Sequence, residues 1–203
     1  MHEDFGDSKI GFVVADVSGK GMQAATIVMR FNEMLIYEAL GDRSVNEILH
    51  GLDSSLRKRT PPEMFATCGI GVLDLKEKTL AFDSAACPEV YHYRAEDQTV
   101  HPLGISGLPL GMALDIPDKV FGHAELALES GDVLVFTSDG VEDAQTLESD
   151  FYGEERLAAL VERCGDEGLS AESIRDVIVA DVVAFVGDAP QTDDLTVVVL
   201  EIL

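Results

Sequence analysis

The chain has 203 residues, 46% hydrophobic and 26% charged, the composition of a globular protein large enough to bury a core without disulfide staples. Its 38 Asp and Glu against 14 Lys and Arg leave a net charge of −24. A surface of that sign repels phosphate backbones and anionic lipid head groups, so nucleic acid and membrane surfaces are not expected partners.

The three cysteines, Cys68, Cys87 and Cys164, form neither a close redox pair nor a disulfide framework, which points to a reducing compartment. The N-terminal Met-His-Glu-Asp-Phe-Gly-Asp is acidic where a signal peptide is basic. No apolar run approaches the ~18 residues of a membrane span. A cytoplasmic location is the expectation.

No repeat, low-complexity stretch or linker divides the chain, and one domain over residues 1–203 is expected. Lys9 to Asp16 predicts a buried strand. Gln23 to Leu40 predicts a helix that is apolar on most sides, with Arg30 and Glu33 on its wet side and Gly41 at its C-cap. So much apolar surface is expected to pack on the next helix, Ser44 to Arg59, or on a second copy in a homodimer. That next helix opens on Ser44 and Glu47, a capping box, and must stop before Pro61-Pro62. The period then alternates: Phe65 to Leu75, Thr79 to Ala85, Val90 to Arg94 and Lys119 to Leu128 predict strands, and Val133 to Ser138 a fully apolar one. Helices follow at Glu154 to Arg163 and Ser170 to Val186, and Asp194 to Leu203 closes the chain as a strand. Strands and helices come in blocks, which predicts an α+β fold with mostly antiparallel sheet.

Three apolar strands carry acid at one end: Asp16, Asp139, and the Asp193-Asp194 pair. Carboxylates gathered at strand mouths repel one another unless a cation lies between them, and hard oxygen ligands suit Mg²⁺ or Mn²⁺. No Cys/His spacing suits zinc. Asp also ends many strands simply as a turn former, and spacing alone does not place these strands side by side. In residues 15–25, two glycines flank Lys20 in a turn that opens a helix, where backbone approaches an ion or phosphate closely. A P-loop is excluded, because Gly21 stands where Ser or Thr is required.

The segments ADVSGKGMQAA, FATCGIGVLDLKEKTLAFDSA, GLPLGM, ESGDVLVFTSDGVEDA, FYGEERL and TDDLTVVVLEI resemble, in this order, the metal-dependent protein phosphatases (PPM), in the bacterial branch of the SpoIIE and RsbU regulators. The resemblance implies a β-sandwich flanked by helices and a two-metal Mn²⁺ or Mg²⁺ centre that hydrolyses phosphoserine or phosphothreonine on a protein. It makes Asp16, Asp139 and Asp193 catalytic metal ligands. It also makes the Val17 carbonyl a ligand, with Asp194 a neighbour. Apart from the resemblance, Lys20 is a candidate contact to substrate phosphate, against the default that a turn lysine beside two glycines is simply solvated. The resemblance implies as substrate a small phosphoprotein such as an anti-sigma-factor antagonist, and an upstream sensor or receiver domain. Members usually carry a Gly-Asp motif one strand earlier, and Asp4 and Asp7 fall in the hairpin turn of the pattern. The chain therefore reads as truncated at its N-terminus, without an edge strand and one acidic ligand, and its second metal is expected to bind weakly. Ala85-Ala86-Cys87 stands where members have Ala-Gly-His. A non-catalytic, partner-binding domain of the same fold is the alternative.

Other features read as structural. Cys87 to Arg94 has one residue too many for a cysteine-phosphatase loop, so Cys87 is expected to be a partly buried thiol. The five histidines are expected at the surface or in turns, and Met22, Met29 and Met34 in the core. The stretch around Glu142, Asp143, Glu148 and Asp150 is expected to be a solvated loop, although Asp143 falls where the family has Glu.

Overall fold

The computed structural model describes residues 3–4, 8–40, 43–61, 63–112 and 120–203. The chain divides into two compact units, residues 1–87 with 105–126, and residues 88–104 with 127–203. In chain order the first holds β1 (Glu3–Asp4), β2 (Lys9–Val17), α1 (Gly21–Glu38), α2 (Val45–Arg57), β3 (Ala66–Asp74), β4 (Thr79–Ala85) and, after an excursion into the second unit, β7 (Gly122–Ala127). The second holds β5 (Tyr91–Arg94), β6 (Thr99–Pro102), β8 (Val133–Thr137), α3 (Asp139–Glu142), α4 (Glu154–Asp166), α5 (Ala171–Val186) and β9 (Val197–Glu201).

The first unit is a five-stranded sheet, β1-β2-β3-β4-β7. Its centre is the long antiparallel pairing of β2 with β3, from Lys9↔Asp74 to Val17↔Ala66. Glu3–Asp4 pairs with Gly11 and Ile10, so a two-residue strand lies along the edge that the motif pattern leaves bare. The capping box forms: the Ser44 side chain accepts from the Glu47 amide, and the Glu47 carboxylate accepts from the Ser44 amide. That fixes the start of α2, whose Ile48, Leu49, Leu52 and Leu56 are buried with Ile27, Phe31, Met34 and Leu35 of α1. α1 thus packs on its neighbouring helix, as its apolar surface requires. At roughly 1.5–3 kcal/mol per buried side chain of this size, that seam is a large part of what holds the unit together.

Two details of α1 depart from expectation. Met34 is core, but Met22 and Met29 are 85% and 70% exposed, and Tyr37 and Leu40 are exposed as well. A helix apolar all round does not reveal which face its neighbours will cover. The helix closes at Ala39, whose amide donates to the Leu35 carbonyl; Gly41, the expected cap, lies outside the described residues.

The second unit is a four-stranded antiparallel sheet, β6-β5-β8-β9, with α4 and α5 on it. Leu157, Leu160 and Val161 of α4 and Ile174, Ile178 and Val182 of α5 are buried against Tyr91, Tyr93, Val133 and Val135. β6 was not legible: Thr-Val-His-Pro has one core-type residue and reads as turn. His92 corrects the expectation of surface histidines. It is buried, alternating along β5 with Tyr91 and Tyr93, and its Nε2 lies 3.0 Å from Asp132 Oδ2. Asp132 also accepts the amides of Ala95 (3.0 Å) and Glu129 (3.1 Å). Burial pushes its pKa up, but these three partners outweigh burial and leave it lowered. A buried carboxylate is tolerable only when satisfied in this way. Cys87 is a half-buried thiol pointing to the Val14 carbonyl at 3.9 Å, as expected.

Candidate metal centre

β8 is buried along its whole length and delivers the chain to Ser138, where the single turn α3 begins at Asp139. β9 pairs with β8 antiparallel from Val133↔Glu201 to Thr137↔Val197. The residues just ahead of β9, Asp193 and Asp194, therefore arrive where β8 ends. Ser138 ties the two segments: its Oγ donates to the Asp194 carbonyl (2.9 Å) and accepts the Thr196 amide (3.0 Å), and its own amide donates to the Thr196 carbonyl (3.1 Å). Gly140 has to be glycine. A Cβ there would stand 2.3 Å from the Asp194 carbonyl oxygen and 3.4 Å from Asp193 Cβ.

This proximity has an electrostatic signature. Partial burial and then the Asp193 charge raise the pKa of Asp139, with Asp143 adding to it and the Gly140 amide opposing it. Asp193 is itself held by its neighbours: Gln191 Nε2 donates to its carbonyl (2.8 Å), and the Asp194 amide donates to its Oδ1 (2.8 Å).

The structure thus brings Asp139 and Asp193 together in the second unit. Asp16, Val17 and Lys20 belong to the first. Asp16 is the penultimate residue of β2, opposite Thr67, exposed, with its Oδ1 accepting the Val17 amide at 2.8 Å. Lys20 is exposed at the N-cap of α1, between Gly19 (φ +96°) and Gly21 (φ +78°), the left-handed turn that the glycine pair predicts. Among the described residues, no three His, Cys, Asp or Glu side chains gather into a metal-binding set. The Asp139–Asp193 donor set still suits a hard cation, because Mg²⁺ takes one or two carboxylates and keeps several waters. The like-charge repulsion at Asp139 is what such an ion would relieve.

Glu142 is a functional-site neighbour that the sequence reading placed in a solvated loop. It closes α3 instead, half-buried, accepting the Tyr91 hydroxyl at 2.9 Å. Burial pushes its pKa up to about 7, aided by Glu154, Asp143 and Glu89 against the Tyr91 hydrogen bond. A single helical turn has no period, so nothing in the spacing announces it.

The profile of the Stage II sporulation protein E (SpoIIE) family matches residues 6–203. The chain belongs to the SpoIIE family. Phosphoserine phosphatase RsbU of Bacillus subtilis is 27% identical over 195 residues, covering 94% of this chain and 55% of RsbU. The chain spans about half the length of that relative. The PP2C phosphatase domain of SpoIIE from Bacillus subtilis, solved with a fragment of its regulatory domain, covers 100% of this chain and 57% of that one, with a TM-score of 0.80 at 20% identity. RsbX in complex with magnesium covers 98% of this chain and 83% of its own, with a TM-score of 0.67 at 16% identity. Structural likeness at these identities shows the fold, and it is the PP2C phosphatase fold: α+β, antiparallel sheets, flanking helices. As a SpoIIE-type PP2C domain the chain falls in a family of metal-dependent serine/threonine phosphatases.

Proposed function

We propose that this domain is an active Mn²⁺- or Mg²⁺-dependent phosphatase that removes phosphate from serine or threonine of a signalling protein, such as an anti-sigma-factor antagonist. The observation that carries the reading is that Asp139 and Asp193 come near each other where β8 meets the segment ahead of β9 in a SpoIIE-family chain: a Cβ on Gly140 would stand 3.4 Å from Asp193 Cβ, and the Asp193 charge helps to raise the Asp139 pKa. By motif correspondence Asp16 and the Val17 carbonyl are the remaining ligands. Bound divalent ions would supply an activated water and offset the phosphoryl charge. The chain's own part is positional: Ser138 and Gly140 set the spacing of the acids, and the buried β8 keeps them from relaxing apart. Lys20, exposed beside two glycines, is free to meet the phosphoryl oxygens as a flexible point charge. The phosphoserine phosphatase activity in the name of RsbU supports the choice of substrate class.

The test is phosphate release from a phosphoserine peptide with and without Mn²⁺, for the wild type and Asp139→Asn. Mn²⁺-dependent release that disappears in the variant is the expected result. Release independent of metal, or intact in Asp139→Asn, contradicts the reading. No release from either protein favours the non-catalytic alternative, a partner-binding domain of the same fold.

A further inference from the structure

Arginines in a chain of net charge −24 have carboxylates within easy reach. Arg43, Arg57, Arg94, Arg156 and Arg175 each hold one. Arg30 of α1 and Arg59 just beyond α2 do not. Among the described residues neither has a carboxylate partner, and both are held by neutral groups instead. Arg30 Nη1 donates to the Arg59 carbonyl at 3.1 Å, and Arg59 Nη1 donates to the Met34 thioether sulfur at 3.6 Å. The two guanidiniums line one cleft of about 540 Å³ in the first unit, with Met34 and Glu33 as its other walls.

We propose that this cleft docks an acidic segment of a partner protein, with one side-chain carboxylate seated between Arg30 and Arg59. Each guanidinium has one N–H committed to a neutral acceptor, which fixes its position and leaves its charge and its other donors unspent. A planar fork pre-positioned in this way loses little entropy when a carboxylate arrives. Charge chooses the occupant. Two positive charges against the one of Glu33 leave a surplus near one, which a carboxylate balances and a phosphate dianion overshoots. The cleft is also too roomy for a single small ion. The net charge of −24 opposes a second copy and an acidic partner alike at long range, so recognition here rests on short-range bidentate contacts. The flanking surface agrees, since Arg and Met are enriched at protein interfaces and Met29 beside Arg30 is largely exposed. None of the proposed metal ligands lines this cleft, so its role is separable from the hydrolytic one.

The experiment is fluorescence anisotropy of a labelled peptide of alternating Glu and Leu, titrated with the whole chain. The proteins compared are the wild type, the Arg30→Gln/Arg59→Gln double variant and Arg163→Gln. Arg163 also lacks a carboxylate partner among the described residues but lies on α4 in the other unit, so it controls for net charge. The expected result is binding that falls about tenfold or more in the double variant and stays at the wild-type level in Arg163→Gln. Hydrolysis of p-nitrophenyl phosphate should be the same in all three. If the double variant fails to fold, Arg30→Gln alone, which removes no carboxylate contact, should weaken binding several-fold. Equal binding by wild type and double variant, or an equal loss in Arg163→Gln, overturns the proposal. So does an arginine-dependent preference for a phosphoserine peptide without other acids, which would make the cleft a phosphate site.

Discussion

Ser138 and Asp194 are joined across the mouth of the second sheet: the Ser138 hydroxyl donates to the Asp194 carbonyl at 2.9 Å. This bond ties the end of β8 to the segment that carries Asp193, next to Asp139. It also explains the glycine that follows Asp139, because the Asp194 carbonyl occupies the space of a Gly140 side chain. Gly140→Ala should therefore cost about 1–3 kcal/mol, the range for forced overpacking, since the obstructing atom is backbone and cannot rotate away. Urea denaturation measures this. A variant as stable as the wild type would show that the two segments are not locked.

Asp139→Asn should have the opposite sign in the absence of metal. Burial and the Asp193 charge disfavour the ionised Asp139, so a neutral side chain of the same shape removes repulsion. The melting temperature in EDTA is expected to be unchanged or raised. Adding Mn²⁺ should raise the wild-type melting temperature and leave the variant's where it was.

Glu142 gives a pH dependence. Its folded pKa is about 7 against an ordinary 4.5. Between those values the folded state holds a proton that the unfolded chain has released, so stability falls as pH rises through that window. For a group still partly open to solvent, the effect is about 1 kcal/mol. Glu142→Gln should flatten this part of the metal-free stability profile while keeping an acceptor for the Tyr91 hydroxyl. A slope unchanged in the variant would assign the effect to other groups.

Ala86 stands in the left-handed region at φ +57°, a conformation that suits glycine. A non-glycine residue there bears roughly 1–2 kcal/mol of steric cost. Ala86→Gly relieves it but adds about 0.4–1 kcal/mol of unfolded-state entropy. The expected outcome is a stability equal to the wild type or up to about 1.6 kcal/mol greater. An ordinary Ala→Gly loss would show that the backbone at this position is not strained.

Most of the fold was legible because its signals are local. The Ser44–Glu47 box, the apolar run of β8 and the alternation of β3 and β4 each announce an element from within. What was hidden depends on partners distant in sequence. His92 is buried because Asp132, forty residues on, is there to receive it. β6 exists because β5 offers it an edge, and α3 because Ser138 and Asp194 hold its first turn. The acids of the candidate site were visible as strand-end residues. That Asp139 and Asp193 meet depends on β8 and β9 being neighbours, a register that no spacing encodes.

The most direct measurement is a calorimetric Mn²⁺ titration of the wild type, Asp139→Asn and Asp193→Asn at one pH. The account predicts at least one Mn²⁺ bound per wild-type chain, with any second ion weaker, and the tight site lost in both variants while their folds persist. Wild-type Mn²⁺ affinity surviving in either variant would contradict it.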